Sequence, residues 1–369
     1  MMLHRCGHTG RVSASVTEAR GAGAIARRGK GSLTVDVHAH AFVPEVEQLV
    51  AGRPEKLAEP EQQRRLVGDA SYEQNLRRML PAAAPKLTSV EQRLKDMDAM
   101  GIDVQLVSPT STQHYYWAEP DLARAIVRTT NERIAEVCAR YPDRLVALGN
   151  IALQHPELAS EQLTYCLHTL GMKGVEISSS VNGRELDDPL FETFWAKAEE
   201  LGALVFLHPF GTSLGERVNR FYLQNVIGQP IETTIALSHL IFGGVLDRHL
   251  GLKLLAAHGG GYLPSYIGRA NHAWQARPDS HTMQHAPAEY LKRIYFDTLV
   301  YEPEGLRHLI SEVGTGQIMA GTDYPFDMGS YDPHGLLAAV PGLSDAERHA
   351  ILGGNALRLL GLQRTVERA

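Results

Sequence analysis

VDVHAHAF, residues 35–42, places two histidines, His38 and His40, one residue apart in a run of Val and Ala. On an extended strand the side chains at i and i+2 share a face, so both imidazoles look the same way. Neutral imidazole is the commonest metal ligand, and two of them converging in an apolar run call for something to bind. A pair of satisfied core histidines would fit the same eight residues. The remainder of the chain has to decide.

Seven further apolar runs follow: VQLVSP (104–109), RLVALGN (144–150), KGVEISS (173–179), ALVFLHP (203–209), LKLLAAHGG (252–260), IYFDTL (294–299) and QIMAGTD (317–323). Between them lie helical patterns such as SVEQRLKDMDAMG, DLARAIVRTTNERIAEVCARYP and LFETFWAKAEELG, and several end at Gly or Pro, as helix stops do. With LTVDVHAH (33–40) this makes eight strands alternating with helices, which predicts an α/β fold with a parallel sheet of βα units. Eight units fit a (β/α)8 barrel, with a doubly wound open sheet as the other arrangement. One connection is too long. Residues 44–90 are polar and Pro-rich before a helix resumes near Ser89, and 41–90 read as an insertion after strand 1, a lid or small subdomain over the barrel mouth. A second excursion, 210–250, follows the fifth strand.

Bulk properties narrow the class. The 369 residues are 44% hydrophobic and 21% charged, and 36 Lys+Arg against 42 Asp+Glu give a net charge of −6. With no basic stripe after residue 31, nucleic acid is not the expected partner. Cys6, Cys138 and Cys166 are too few and too scattered for a disulfide framework or a thiolate zinc site, and they suit a reducing cytoplasm. No apolar run approaches the ~18 residues of a membrane helix. Residues 1–32, rich in Arg, Gly, Ala and Ser, fit a transit peptide, translated upstream sequence or a tail, and lack the apolar stretch of a secretory signal. They are taken as a disordered extension without assigned function. Residues 33–362 then form one domain, and 363–369 a C-terminal tail.

The strand ends share a chemistry. The first ends in His38 and His40, the fifth in His208, the sixth in His258 and the eighth in Asp323. In a barrel, catalytic residues come from the C-terminal ends of several strands, so these five would face one mouth. Singly, a strand-end His is more often structural and Asp323 could be a helix cap; jointly they are not explained that way. Nitrogen and oxygen donors without thiolate suit Zn²⁺, or Mn²⁺, Fe²⁺ or Co²⁺. Three histidines, an aspartate and an open position make a catalytic site, in which a bound water loses its proton near neutral pH. His258 is then free to act as acid or base.

DVHAH, VFLHPFG, AAHGGGYLPSYIGR and MAGTDYPFDMG resemble the signatures of the amidohydrolase superfamily, and more narrowly its 2-amino-3-carboxymuconate-6-semialdehyde decarboxylase-like branch. The likeness runs from about residue 33 to 362 and includes DMDAMGIDVQLVSP and GGNALRLL. The resemblance implies a distorted (β/α)8 barrel holding one divalent metal, usually zinc. By motif position the ligands are His38, His40, His208 and Asp323, with His258 activating water or shuttling protons and Asp323 sharing in proton transfer. It also implies a homodimer in which Arg269 reaches the neighbouring site, and an arginine from the insertion, Arg77 or Arg78, that holds a carboxylate bidentately. A solvated helix face fits Arg77 and Arg78 equally. Phe210, where the branch's decarboxylase has Trp, and Phe326 fall at pocket positions and leave the substrate open. The expected activity is non-oxidative decarboxylation of a small unsaturated or aromatic carboxylic acid. Hydrolysis or hydration at the same residues is the alternative, and a binding protein without catalysis would show a damaged site.

Two motifs point elsewhere. GTSLG (211–215) and HGGG (258–261) match a serine-hydrolase elbow and an oxyanion-hole loop. Their order is reversed, and Ser213 lies several residues beyond its strand.

Overall fold

Each of the eight apolar runs forms a strand in the computed structural model, which describes residues 33–362. The N-terminal extension and the C-terminal tail lie outside the described residues. The strands are β1 (Val35–Ala41), β2 (Val104–Pro109), β3 (Leu145–Ala147), β4 (Gly174–Ile177), β5 (Leu204–Leu207), β6 (Lys253–Ala256), β7 (Tyr295–Asp297) and β8 (Ile318–Met319). All pairings are parallel, in the order β1-β2-β3 and β4-β5-β6-β7-β8. Backbone bonds bridge both seams. Glu176 N donates to Gly149 O at 2.8 Å between the β3 end and β4. Val37 N donates to Ala320 O at 2.9 Å and His40 N to Tyr324 O at 2.8 Å between β1 and the β8 end. The result is a distorted (β/α)8 barrel.

Two apolar cores follow from strand alternation. Val35, Val37, Val104, Leu106, Phe206, Leu255 and Met319 fill the barrel interior. Val107, Val175, Ile177, Val205, Leu207 and Ile318 face outward onto helices such as Pro120–Arg140 and Glu192–Glu200. The register of β1 against β2 jumps between Asp36 and Ala39, which is a β-bulge. Below it the odd residues Val35 and Val37 face the interior; above it the even residues His38 and His40 do. The bulge turns Asp36 the other way. Its carboxylate accepts from Gln105 Nε2 (2.8 Å) and Thr322 Oγ1 (2.6 Å), and Gln105 in turn accepts from buried Arg93 (2.6 Å). Simple i, i+2 counting would have kept Asp36 with the histidines.

The insertion is helical: Pro44–Val50, Pro54–Val67, Asp69–Gln74 and Leu80–Thr88, with one π-turn, Asn75–Met79. Pro44 and Pro54 open their helices, where a missing N–H loses no bond. The next helix, Val90–Met100, is capped by Ser89, whose hydroxyl accepts from Gln92 N, and ends at left-handed Gly101. The insertion grips the loop after β2. Glu47 accepts from Gln113 Nε2 (2.8 Å) and Tyr115 OH (2.7 Å), and Lys56 donates to Tyr115 OH (2.7 Å). It also meets the 210–250 excursion, through Arg65 and Glu216 at 3.8 Å. Among the described residues no helix is long and apolar enough to cross a membrane.

Candidate metal centre

The ends of β1, β5 and β8 bring His38, His40, His208 and Asp323 together, with one ligand atom from each within 4.8 Å of all the others. His38 Nε2 and His40 Nε2 lie 3.1 Å apart, and Asp323 Oδ1 stands 3.4 and 3.3 Å from them. Every Nδ1 is engaged elsewhere. His38 Nδ1 donates to Asp297 Oδ2 (2.7 Å), His40 Nδ1 to Pro109 O (3.2 Å) and His208 Nδ1 to Ser111 Oγ (2.9 Å). Carboxylates and carbonyls only accept, so the neutral rings of His38 and His40 carry their proton on Nδ1 and offer Nε2 as the lone pair. Two such lone pairs 3.1 Å apart in a dry site repel unless a cation, a metal ion or a proton, lies between them. His208 Nε2 is buried without any partner. A divalent metal fits this donor set, and the outer partners orient the rings as they do in metal proteins.

Charge agrees. Burial alone would raise Asp323, yet His38, His258 and His40 hold it well below the usual carboxylate range. Burial likewise opposes ionisation of Glu176 and Asp297, and His114 with His40, and His38, respectively overcome it. Burial lowers His40, but Asp323 and Glu176 outweigh it and push it up to about 10. Burial and the neighbouring His40 keep His208 well below the ordinary imidazole value. The cluster is built to retain positive charge.

His258 stands beside it, with Nε2 3.7 Å from Asp323 Oδ2 and Nδ1 unpartnered. Burial lowers its pKa and Asp323 more than restores it. His258 (φ 55°) and Asp323 (φ 56°) both occupy the left-handed region, which costs a non-glycine residue on the order of 1–2 kcal/mol. Asp297 holds the first of these turns, accepting from His258 N (2.9 Å) and Gly259 N (2.8 Å) while bound to His38. A Cβ on Gly259 would come within 2.4 Å of Val300 Cγ1, and one on Gly261 within 2.1 Å of Pro230 O. The HGGG run is therefore a tight turn. Its N–H groups are already bonded, those of Gly260 and Gly261 to Ala257 O and His258 O, so it is no oxyanion hole. Ser213 Oγ donates to Glu232 (2.7 Å), and no histidine activates it.

A cleft of about 410 Å³ opens beside His258 and Asp323, walled by Val226, Tyr262, Val300, Tyr301 and Met328 among others. Phe326 lies against His40, ring centroids 5.6 Å apart, whereas Phe210 is 42% exposed. Arg77, Arg78 and Arg269 are exposed; Arg77 bonds Glu73 at 2.9 Å, and Arg269 makes no ion pair among the described residues. Among the described residues no hydrogen bond or ion pair links these arginines to the histidines. The strand-end reading missed Asp297 and Glu176, although both sit in runs it identified as strands. An acidic residue beside outward-facing Val175 and Ile177, or closing β7, was the available signal.

The chain belongs to the amidohydrolase family, which it matches over residues 35–362. It is 36% identical over 272 residues to a 2-amino-3-carboxymuconate-6-semialdehyde decarboxylase of Dictyostelium discoideum, covering 73% of this chain and 76% of that one. It is 29% identical over 290 residues to a gamma-resorcylate decarboxylase of Rhodococcus jostii, 74% and 87% of the two chains. Among solved structures, the 2,6-dihydroxybenzoate decarboxylase from Rhizobium superposes with a TM-score of 0.71 at 26% identity, covering 90% of this chain and 99% of that one.

Proposed function

We propose that the protein is a metal-dependent non-oxidative decarboxylase of a small unsaturated or aromatic carboxylic acid, with Zn²⁺ as the preferred ion and Mn²⁺, Fe²⁺ or Co²⁺ as substitutes. The carrying observation is the pair of Nε2 atoms of His38 and His40, 3.1 Å apart, facing Asp323, with His208 completing the cluster. The decarboxylases among its relatives supply the reaction type.

His38, His40, His208 and Asp323 would hold a divalent ion, which would supply Lewis acidity to an oxygen of the bound acid. The proton on His258 Nε2, which faces Asp323 Oδ2 at 3.7 Å, passes to the carbon that bears the carboxylate. The C–C bond then breaks, its electron pair restores the ring or conjugated chain, and CO2 leaves. One proton is taken up per CO2 released. His258 keeps its Nδ1 proton through this step and takes up the replacement at Nε2, from solvent through the cleft that the residue lines. Phe326 and Phe210 wall the substrate. Arg269 binds its carboxylate in the neighbouring site of a homodimer, and Arg77 or Arg78 assists from the insertion. The buried free thiols of Cys138 and Cys166 accord with a cytoplasmic setting.

The test is the metal-replete protein against hydroxybenzoates, aminocarboxymuconate-type acids, lactones and amides, followed by NMR. CO2 release that stops on chelation and returns with Zn²⁺ is the expected result. Hydrolysis or water addition without CO2 would keep the metal site and overturn the reaction.

A further inference from the structure

Glu176 is a buried carboxylate in the middle of β4, turned into the barrel between outward-facing Val175 and Ile177. Proton transfer from His258 has no need of it. Its surroundings are specific. Oε1 accepts from Ser111 Oγ (2.8 Å) and from His114 Nε2 (3.2 Å), while Oε2 faces His40 Nδ1 at 3.5 Å. His114 is itself held through Nδ1 by Asn150 Oδ1 (2.8 Å), and Asn131 clamps the Asn150 backbone on both sides, at 2.7 and 2.9 Å. Glu176 is thus fixed from behind and presents its charge toward two of the metal-binding rings.

The hydrogen bonds have a direction. A serine hydroxyl carries one proton. Ser111 gives that proton to Glu176, which only accepts, so its oxygen must accept from His208 Nδ1. His208 is then protonated at Nδ1, and its Nε2 is left as a lone pair aimed into the cluster without a protein partner. Were Ser111 free of Glu176, its hydroxyl could equally donate to His208 Nδ1 and put the ring proton on Nε2, where it would block a ligand.

We infer that Glu176, acting through Ser111, is the positioning residue that fixes the ring state of His208 and presets its Nε2 for metal. This rests on the metal-centre reading given above. It makes β4 and the loop after β2 part of the centre, although neither contributes a ligand.

The probe is Co²⁺ alone, added to the full metal-free chain. Affinity is read by chelator competition and ligand geometry by the visible cobalt absorption, with melting temperature of the metal-free protein as the fold control. Ser111→Ala is expected to bind Co²⁺ about 10–100-fold more weakly, with an altered cobalt spectrum and a parent-like metal-free melting temperature. Ser111→Thr, which keeps the hydroxyl, is expected to return affinity and spectrum toward the parent. Glu176→Leu, which removes the acceptor at similar size, is expected to resemble Ser111→Ala in both readouts, and a Glu176→Leu protein with the parent's affinity and spectrum overturns the inference. A Ser111→Ala protein with the parent's affinity and spectrum overturns the inference. So does a Ser111→Thr protein that is as impaired as Ser111→Ala, since the role is then packing. A parent protein that takes up no Co²⁺ is a separate result: it defeats the metal centre itself and the inference with it.

Discussion

The two halves of β1 lie a few residues apart and obey different rules. Val35 and Val37 pack among Leu106, Phe206, Leu255 and Met319, and need only shape and apolarity. His38 and His40 point into the same barrel, and each ring is held through Nδ1 by an acceptor at a defined place. The bulge between them lets one strand serve both. The lower half contributes stability that is roughly proportional to buried apolar area. The upper half holds ionised carboxylates and bare lone pairs whose burial is tolerable only with a cation, because unpaired buried charge is expensive. The barrel floor therefore stabilises the fold, and the rim uses that stability to hold an arrangement that would not persist alone.

If the contrast is right, damage to the rim should abolish function without unfolding, and damage to the floor should do the reverse. The largest effect is expected from His38→Ala and Asp323→Ala, which should lose metal and activity together, down to the level of chelated parent protein, with far-UV dichroism retained. Full metal content in both variants would remove the proposed ligand set. Next, His258→Ala should keep its metal by elemental analysis while turnover falls by about 10²–10⁴-fold; unchanged turnover rejects its role.

Arg269→Ala should also lower activity. Mixing it with His258→Ala should restore part, provided the subunits exchange. Absent complementation between exchanging dimers would argue against shared sites. On the floor, Leu255→Ala should cost about 2–5 kcal/mol in denaturant melts, with metal affinity near that of the parent. A collapse of metal binding there would mean that the two regions are not separable. The smallest effect belongs to Ser213→Ala, which should leave turnover intact and stability within about 0.5 kcal/mol. A dead Ser213→Ala protein would reopen the serine-hydrolase reading.

How far the sequence was legible follows the range of the forces involved. Each strand lay within its apolar run because a parallel strand buried on both faces needs an unbroken apolar stretch, and that signal is local. The convergence of His38, His40, His208 and Asp323 was legible for a related reason: in a barrel the strand ends meet at one mouth, so chain position stands in for position in space. The insertion was less so. Its composition masked its helices, since Pro44 and Pro54, ordinarily breakers, sit where they start a helix.

The sequence by itself determined the barrel, its eight strands and the side chains that converge at its mouth, because alternation and strand-end placement are written within a few residues of one another. Only the tertiary structure decided which way each ring is turned. His38 depends on Asp297, 259 positions along the chain, and His208 on Ser111, 97 positions back. The bulge that parts Asp36 from His38 likewise shows only in the register against β2. Such choices are made by hydrogen bonds between segments that meet only when the barrel closes, and a bond of that kind leaves no periodic trace in either segment.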